Sequence, residues 1–221
     1  MNPALCLLLT MLAAYLLGSV SGSLLLGRRI GVDIRSQGSG NAGGTNAFRT
    51  QGWRFALGVV LIDIGKGALA AGLALWVQTR WDVGLASASD CAWWAVLCAA
   101  AGHTWPVFHG FRGGKGVGTM VGGLCVVWPT SLLPCLLVWL LTLTTTGYVG
   151  LASVLAALVL VPVAWVVGGA PVWFALSAAG FIVFTHRVNL RRLAAGSEHR
   201  FPRARIWRRG WLSLRGRNPD V

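Results

Sequence analysis

Charge is what this sequence lacks most. Only 11% of its 221 residues are Asp, Glu, Lys or Arg, against about 25% in an ordinary soluble domain. Between Val117 and Thr185 there is no charged residue at all. The missing charge is replaced by long apolar runs and not by Gly- or Pro-rich disorder, which excludes a soluble globular chain. No Lys or Arg precedes Arg28, and the apolar run before it is too long for the core of a cleaved signal peptide. Cys6, Cys91, Cys98, Cys125 and Cys135 form no C-x-x-C pair and have no His at metal-ligand spacing. They imply neither a metal nor a disulfide framework and read as small packing residues. The phosphate-loop spacing of nucleotide hydrolases is absent too, because Gly116 and not Ser or Thr follows Lys115. No Ser-His-Asp constellation suggests an acyl-enzyme.

What is present is apolar sequence in span-sized lengths. The runs Pro3–Gly27, Phe55–Val77 and Cys91–Phe108 approach or exceed the ~20 residues that cross a bilayer as helix. The class is therefore an all-α, polytopic integral membrane protein. The net charge of +13 is distributed unevenly. Arginines cluster between Arg28 and Arg54 and between Arg187 and Arg217, while Arg112 and Lys115 share one loop. Arg80–Asp90 carries Arg80 against Asp82 and Asp90. Basic loops stay cytoplasmic, which predicts an outside N-terminus, a cytoplasmic C-terminus and about seven transmembrane helices. Val117–Thr146 is then two short helices turning near Pro129–Pro134. Gly147–Ser153 faces the cytoplasm and Gly168–Pro171 the outside. Residues 1–201 form the membrane domain and 202–221 a basic cytoplasmic tail. That tail suits anionic headgroups better than nucleic acid, with Trp207 and Trp211 as interfacial anchors.

Three polar segments interrupt the apolar sequence, and each suits an anion. The first runs from Gln37 to Arg49. Its glycines let backbone N–H groups approach a ligand closely. Ser39, Asn41, Thr45 and Asn46 add side-chain donors, and Arg49 adds a planar cation. The second, Gly102–Gly118, centres on Gly113-Gly114-Lys115-Gly116, a glycine-flanked lysine opening a helix at Val117, where free N–H groups attract an anion. The third, Thr185–Glu198, holds His186 and Asn189 three residues apart, on one face of a helix. Glu198 stands where it could neutralise or orient a nearby arginine. Asp63 and Lys66 lie on one face inside an apolar run and read as an intrahelical ion pair, since unpaired charge there is costly. His103 and His109 read as loop-packing or interfacial residues.

In this order and spacing the segments resemble the PlsY family, the bacterial membrane glycerol-3-phosphate acyltransferases that use acyl phosphate. The resemblance runs from Leu17-Gly18-Ser19 to Glu198. It rests on Gly38-Ser-Gly-Asn-Ala-Gly-Gly-Thr-Asn46 with Arg49, on Gly102-His103, Pro106-Val-Phe108 and Gly113-Gly-Lys-Gly116, and on His186-Arg187, Asn189 and Gly196-Ser-Glu198. Three positions depart from it. Gly44 replaces a common Ala, Val20-Ser21-Gly22 replaces Ile-Pro-Phe, and Gly150 stands where an Arg-Tyr-x-Ser-x-Ser motif has its first serine.

The resemblance implies acyl transfer from acyl phosphate to the 1-hydroxyl of glycerol 3-phosphate, the first step of phospholipid synthesis. The products are 1-acylglycerol 3-phosphate (lysophosphatidate) and inorganic phosphate. Ser39, His186 and Asn189 are the expected catalytic residues. Ser39, Gly40, Asn41, Thr45, Asn46, Arg49, Lys115 and His186 are the expected phosphate-binding set, converging on one anion site at the cytoplasmic face of the bacterial inner membrane. Acyl phosphate, glycerol 3-phosphate and membrane lipids are the expected partners, with no cofactor, metal or nucleic acid. Either His186 or the donor's own phosphate oxygen serves as base. The competing classes are a transporter of a phosphorylated or anionic solute and a lipid-binding scaffold. A transporter would place its cations at mid-membrane, and a scaffold leaves the three glycine-rich segments unexplained.

Overall fold

The computed structural model describes residues 2–81 and 90–201; the expectations for Asp82, Trp207, Trp211 and the 202–221 tail lie outside them. Among the described residues every regular element is helical. The chain divides into two compact units, Met1–Leu132 and Leu133–Val221.

The first unit begins with α1 (Pro3–Gly18) and α2 (Gly22–Arg29), which meet at a bend of 45°. The first apolar run is thus a broken helix and not one continuous rod. Then come α3 (Gly44–Gln51), α4 (Trp53–Arg80), α5 (Asp90–Thr104) and α6 (Val117–Val127). At 28 residues, α4 is about 42 Å long and forms the spine against which α1, α2, α3, α5 and α6 pack. The helices approach closely because small residues line their contacts. A Cβ on Gly67 would meet the backbone of Thr119, and one on Gly18 the backbone of Ala99. Lipid gives helices no hydrophobic reason to associate, so close van der Waals contact through Gly and Ala replaces it. Cys6, Ala14, Ala70, Ala74, Cys91, Ala92, Ala95 and Ala99 form the resulting core, where the two cysteines are free thiols used as packing groups.

The second unit holds α7 (Leu132–Thr146), α8 (Val149–Val166), α9 (Val172–Thr185) and α10 (Arg187–Ala194). In it α8 packs on α9, and α10 lies against both. Trp128 ends α6 and Pro129–Ser131 forms a 3-10 turn before α7, so the sequence does break where two short helices were expected. Proline has no N–H to continue the α6 ladder. Trp53–Arg80, Pro129–Thr146 and Val149–Val166 are each long and apolar enough to cross a membrane, and the bent α1–α2 pair is a fourth candidate. Their outer faces carry exposed Leu61, Leu69, Leu141 and Trp165, a surface suited to lipid and not to water. The protein is an all-helical, multi-pass membrane protein.

Candidate active site

The first polar segment is only partly a loop. Residues 37–43 form the loop, and Gly44 starts α3, which carries Thr45, Asn46 and Arg49. One residue organises the loop. Asn46 is 1% exposed; its Oδ1 accepts from the Ser39 N–H at 2.9 Å, and its Nδ2 donates to the carbonyls of Ile34 and Gln37 at 3.1 and 3.0 Å. Both ends of the amide are spent on backbone, so Asn46 shapes the segment from inside. Gly38 has φ +56°, a left-handed conformation that favours glycine, and a Cβ there would strike the Asn46 Oδ1. Ser39, Asn41, Thr45 and Arg49 are half-buried and Gly40 is exposed, leaving them at the surface of this frame.

Arg35 ties the first segment to the second, a role the sequence did not reveal. Its guanidinium is paired with Asp33 at 2.8 Å and donates through Nη1 to the carbonyls of His109 and Arg112 at 2.9 and 3.1 Å. The hydrogen bond from the Arg35 guanidinium is the main reason the Asp33 carboxyl sits below the usual carboxylate range. His109 lies on a 3-10 turn, Val107–His109. Its imidazole is pushed below its ordinary value by burial first and then by the nearby Arg28 and Arg35 cations. The Gly113-Gly-Lys-Gly116 segment folds back onto the end of α5 through Gly113 N–H to Thr104 and Gly114 N–H to His103, both 3.1 Å. A Cβ on Gly114 would come to 2.9 Å from the Ala42 carbonyl oxygen, so the two glycine-rich segments abut. Gly116, at φ +83°, is the N-cap of α6, and Lys115 immediately precedes it, half-buried.

Beneath this surface lies a buried ionic cluster. Asp63 and Lys66 are the expected ion pair, at 3.0 Å. His103, expected as a loop-packing or interfacial residue, is instead in the last turn of α5, 3% exposed, with Nδ1 at 2.8 Å from the Lys66 Nζ. Sequence could not place it there because its partner lies 37 positions away.

In the second unit His186 is the residue between α9 and α10, and it is 3% exposed. Its Nδ1 is 2.8 Å from the Ile182 carbonyl oxygen. A carbonyl only accepts, so Nδ1 carries a proton and the neutral ring's basic nitrogen is Nε2. Asn189 lies on α10. Its Nδ2 donates to the Glu198 Oε1 at 2.7 Å, so Glu198 orients this amide; among the described residues it forms no ion pair with the arginine that its charge led one to expect. Gly150 sits against Asn189, where a Cβ would meet its side chain at 3.1–3.2 Å.

A sequence profile described as "Glycerol-3-phosphate acyltransferase" matches residues 8–196. The chain belongs to the PlsY family of glycerol-3-phosphate acyltransferases. Its similarity to a glycerol-3-phosphate acyltransferase of Clostridioides difficile strain 630 is 38% identity, covering 85% of this chain and 91% of that one. For the enzyme of Pseudomonas aeruginosa strain LESB58 the identity is 40%, over 85% and 96%. Among solved structures it resembles PlsY (YgiH), an integral membrane glycerol 3-phosphate acyltransferase, in its glycerol 3-phosphate form. The TM-score is 0.79 and the identity 34%, covering 88% of this chain and 95% of that one. The lysophosphatidic acid form of the same enzyme aligns with a TM-score of 0.77. Membership of the PlsY family makes the chain a membrane acyltransferase.

Proposed function

We propose that this protein transfers an acyl group from acyl phosphate to the 1-hydroxyl of glycerol 3-phosphate. It releases lysophosphatidate and inorganic phosphate, at the cytoplasmic face of the bacterial inner membrane, as the first step of phospholipid synthesis. The observation that carries this reading is the near full-length likeness to an enzyme solved in both a glycerol 3-phosphate and a lysophosphatidic acid form.

Both substrates carry phosphate, and the chain's polar segments suit that charge. Arg49 offers a fork of donors. Lys115 offers a point charge beside the N-terminus of α6. Ser39, Gly40, Asn41 and Thr45 supply hydroxyl, amide and backbone donors on the frame that Asn46 holds. In the reaction the glycerol 3-phosphate hydroxyl oxygen attacks the acyl carbon, and the bond from that carbon to the phosphate oxygen breaks. The hydroxyl proton passes to a phosphate oxygen or to the His186 Nε2. Asn189, held by Glu198, orients the reacting groups, and Ser39 donates to them. Positioning and charge stabilisation supply the rate, with no covalent acyl-enzyme. A seven-span arrangement with the N-terminus outside is supported by the basic loops and by the break between α6 and α7.

The test is purified protein in detergent with acyl phosphate and labelled glycerol 3-phosphate, without coenzyme A or acyl carrier protein. Stoichiometric lysophosphatidate and phosphate are expected. Product that forms only when a thioester donor is supplied would overturn the donor assignment.

A further inference from the structure

The cluster below the glycine-rich segments has more partners than an ion pair needs. The Lys66 ammonium, 5% exposed, meets the Val20 carbonyl at 2.8 Å, the His103 Nδ1 at 2.8 Å and the Asp63 Oδ1 at 3.0 Å. An ammonium has three N–H donors, and here are three acceptors. The His103 Nδ1 faces both charges, at 2.8 Å from the Lys66 Nζ and 3.4 Å from the Asp63 Oδ1; the ammonium can only donate, so the shorter contact is one in which Nδ1 accepts. The Asp63 Oδ1 also accepts the Gly22 N–H at 3.2 Å. Val20 and Gly22 flank the break between α1 and α2, and Ser21, the N-cap of α2, makes no side-chain cap bond. Broken helices within a membrane must have their freed backbone groups satisfied by something. Here one α4 charge takes the carbonyl and the other the amide.

The same cluster reaches the phosphate-binding segment. The position a Cβ of Gly114 would occupy is taken by the His103 Nε2, so the imidazole forms one wall against which the backbone before Lys115 is laid. On the other side, a Cβ on Gly118 would touch the Asp63 Cβ at 3.3 Å, so the first turn of α6 rests on the same carboxylate residue. Lys115 lies between these two seats. Resting on the proposed reaction, we propose that Asp63, Lys66 and His103 are positioning residues that fix Lys115 for the glycerol 3-phosphate phosphate. Neither Lys66 nor His103 touches substrate. The first of the chain's two lysines thus acts through the second.

This predicts epistasis that a purely structural cluster would not give. Binding of glycerol 3-phosphate and of inorganic phosphate is measured by calorimetry on purified full-length protein, per folded molecule, beside turnover. Lys66→Met and His103→Ala are expected to weaken glycerol 3-phosphate at least tenfold. His103→Asn, whose Oδ1 can still accept from Lys66, is expected to stay within threefold of wild type. The double variant Lys66→Met/Lys115→Ala should bind no more weakly than Lys115→Ala alone, because both remove the same contact. An unchanged Kd in Lys66→Met, or losses that multiply in the double variant, would overturn the proposal. A wild type that binds glycerol 3-phosphate yet makes no lysophosphatidate from acyl phosphate sinks the donor assignment alone, and the binding comparison still decides this one. A wild type that binds neither ligand overturns both.

Discussion

Replacing Asn46 by alanine separates a residue that shapes the first polar segment from one that only lines it. The substitution removes an acceptor for the Ser39 N–H and a donor for the Ile34 and Gln37 carbonyls, at a site 1% exposed. Each such bond contributes about 0.5–1.5 kcal/mol net, and a buried group left unsatisfied costs more. The segment should therefore open more easily by about 3 kcal/mol, which is ~100-fold in the local opening equilibrium. Hydrogen exchange read by mass spectrometry on a peptide containing Ser39 and Gly40 should speed up accordingly. The kcat/KM for glycerol 3-phosphate should fall at least tenfold. Asn46→Asp should be nearly as damaging: its retained oxygen still accepts from Ser39, but the other oxygen now faces two carbonyl oxygens. Exchange protection within threefold of wild type in Asn46→Ala would refute the reasoning and return Asn46 to the role of a direct phosphate contact.

Other perturbations test the remaining assignments. Arg49→Ala and Lys115→Ala should each raise the KM for glycerol 3-phosphate or lower kcat/KM severely, and near-normal steady-state kinetics in both would remove the phosphate-clamp role. His186→Gln should cost ~10²–10⁴-fold in kcat if the imidazole is an essential base, whereas a loss of only a few-fold would assign proton transfer to the donor's phosphate. Glu198→Gln should lower kcat several-fold without changing the melting temperature much, because the amide of Asn189 loses its anionic acceptor; equal kcat would dismiss Glu198 as its orienter. The Asp33 carboxyl, held down chiefly by Arg35, supports the tie between the two segments above its unfolded pKa near 4. That support is lost as pH falls through the lower folded value. Asp33→Asn should therefore flatten any acid-side loss of stability in thermal unfolding scans, and an unaltered pH profile would exclude the tie as its source.

How much of this was legible depended on whether the signal was local. Apolar length announced α4 and α8, and Pro129 announced the break before α7, because hydropathy and a missing N–H act on neighbouring residues. The Asp63–Lys66 pair was readable for the same reason, at a spacing of one helical turn. The burial of His103 was not readable, since its partner belongs to another helix. Charge alone points Glu198 at an arginine, and only geometry reveals that an amide nine residues away donates to its Oε1. Asn46 looked like one more donor in a polar loop. Its bonding to backbone through both ends of the amide follows from the way α3 turns back over residues 34–39. The bend between α1 and α2 was hidden because Val20-Ser21-Gly22 is scarcely less apolar than its flanks.

That bend bears on how the protein comes to be made. A nascent chain that has released α1 and α2 into the bilayer but not yet α4 carries an exposed carbonyl at Val20 and an exposed amide at Gly22, with nothing nearby to answer them. Both are quenched when Asp63 and Lys66 arrive some forty residues later, and that ion pair in turn completes its hydrogen bonding only once it finds the bend. The opening segments of this enzyme should therefore enter the membrane as an interdependent pair, with neither stable by itself. Biogenesis would then stall on truncations that end before α4.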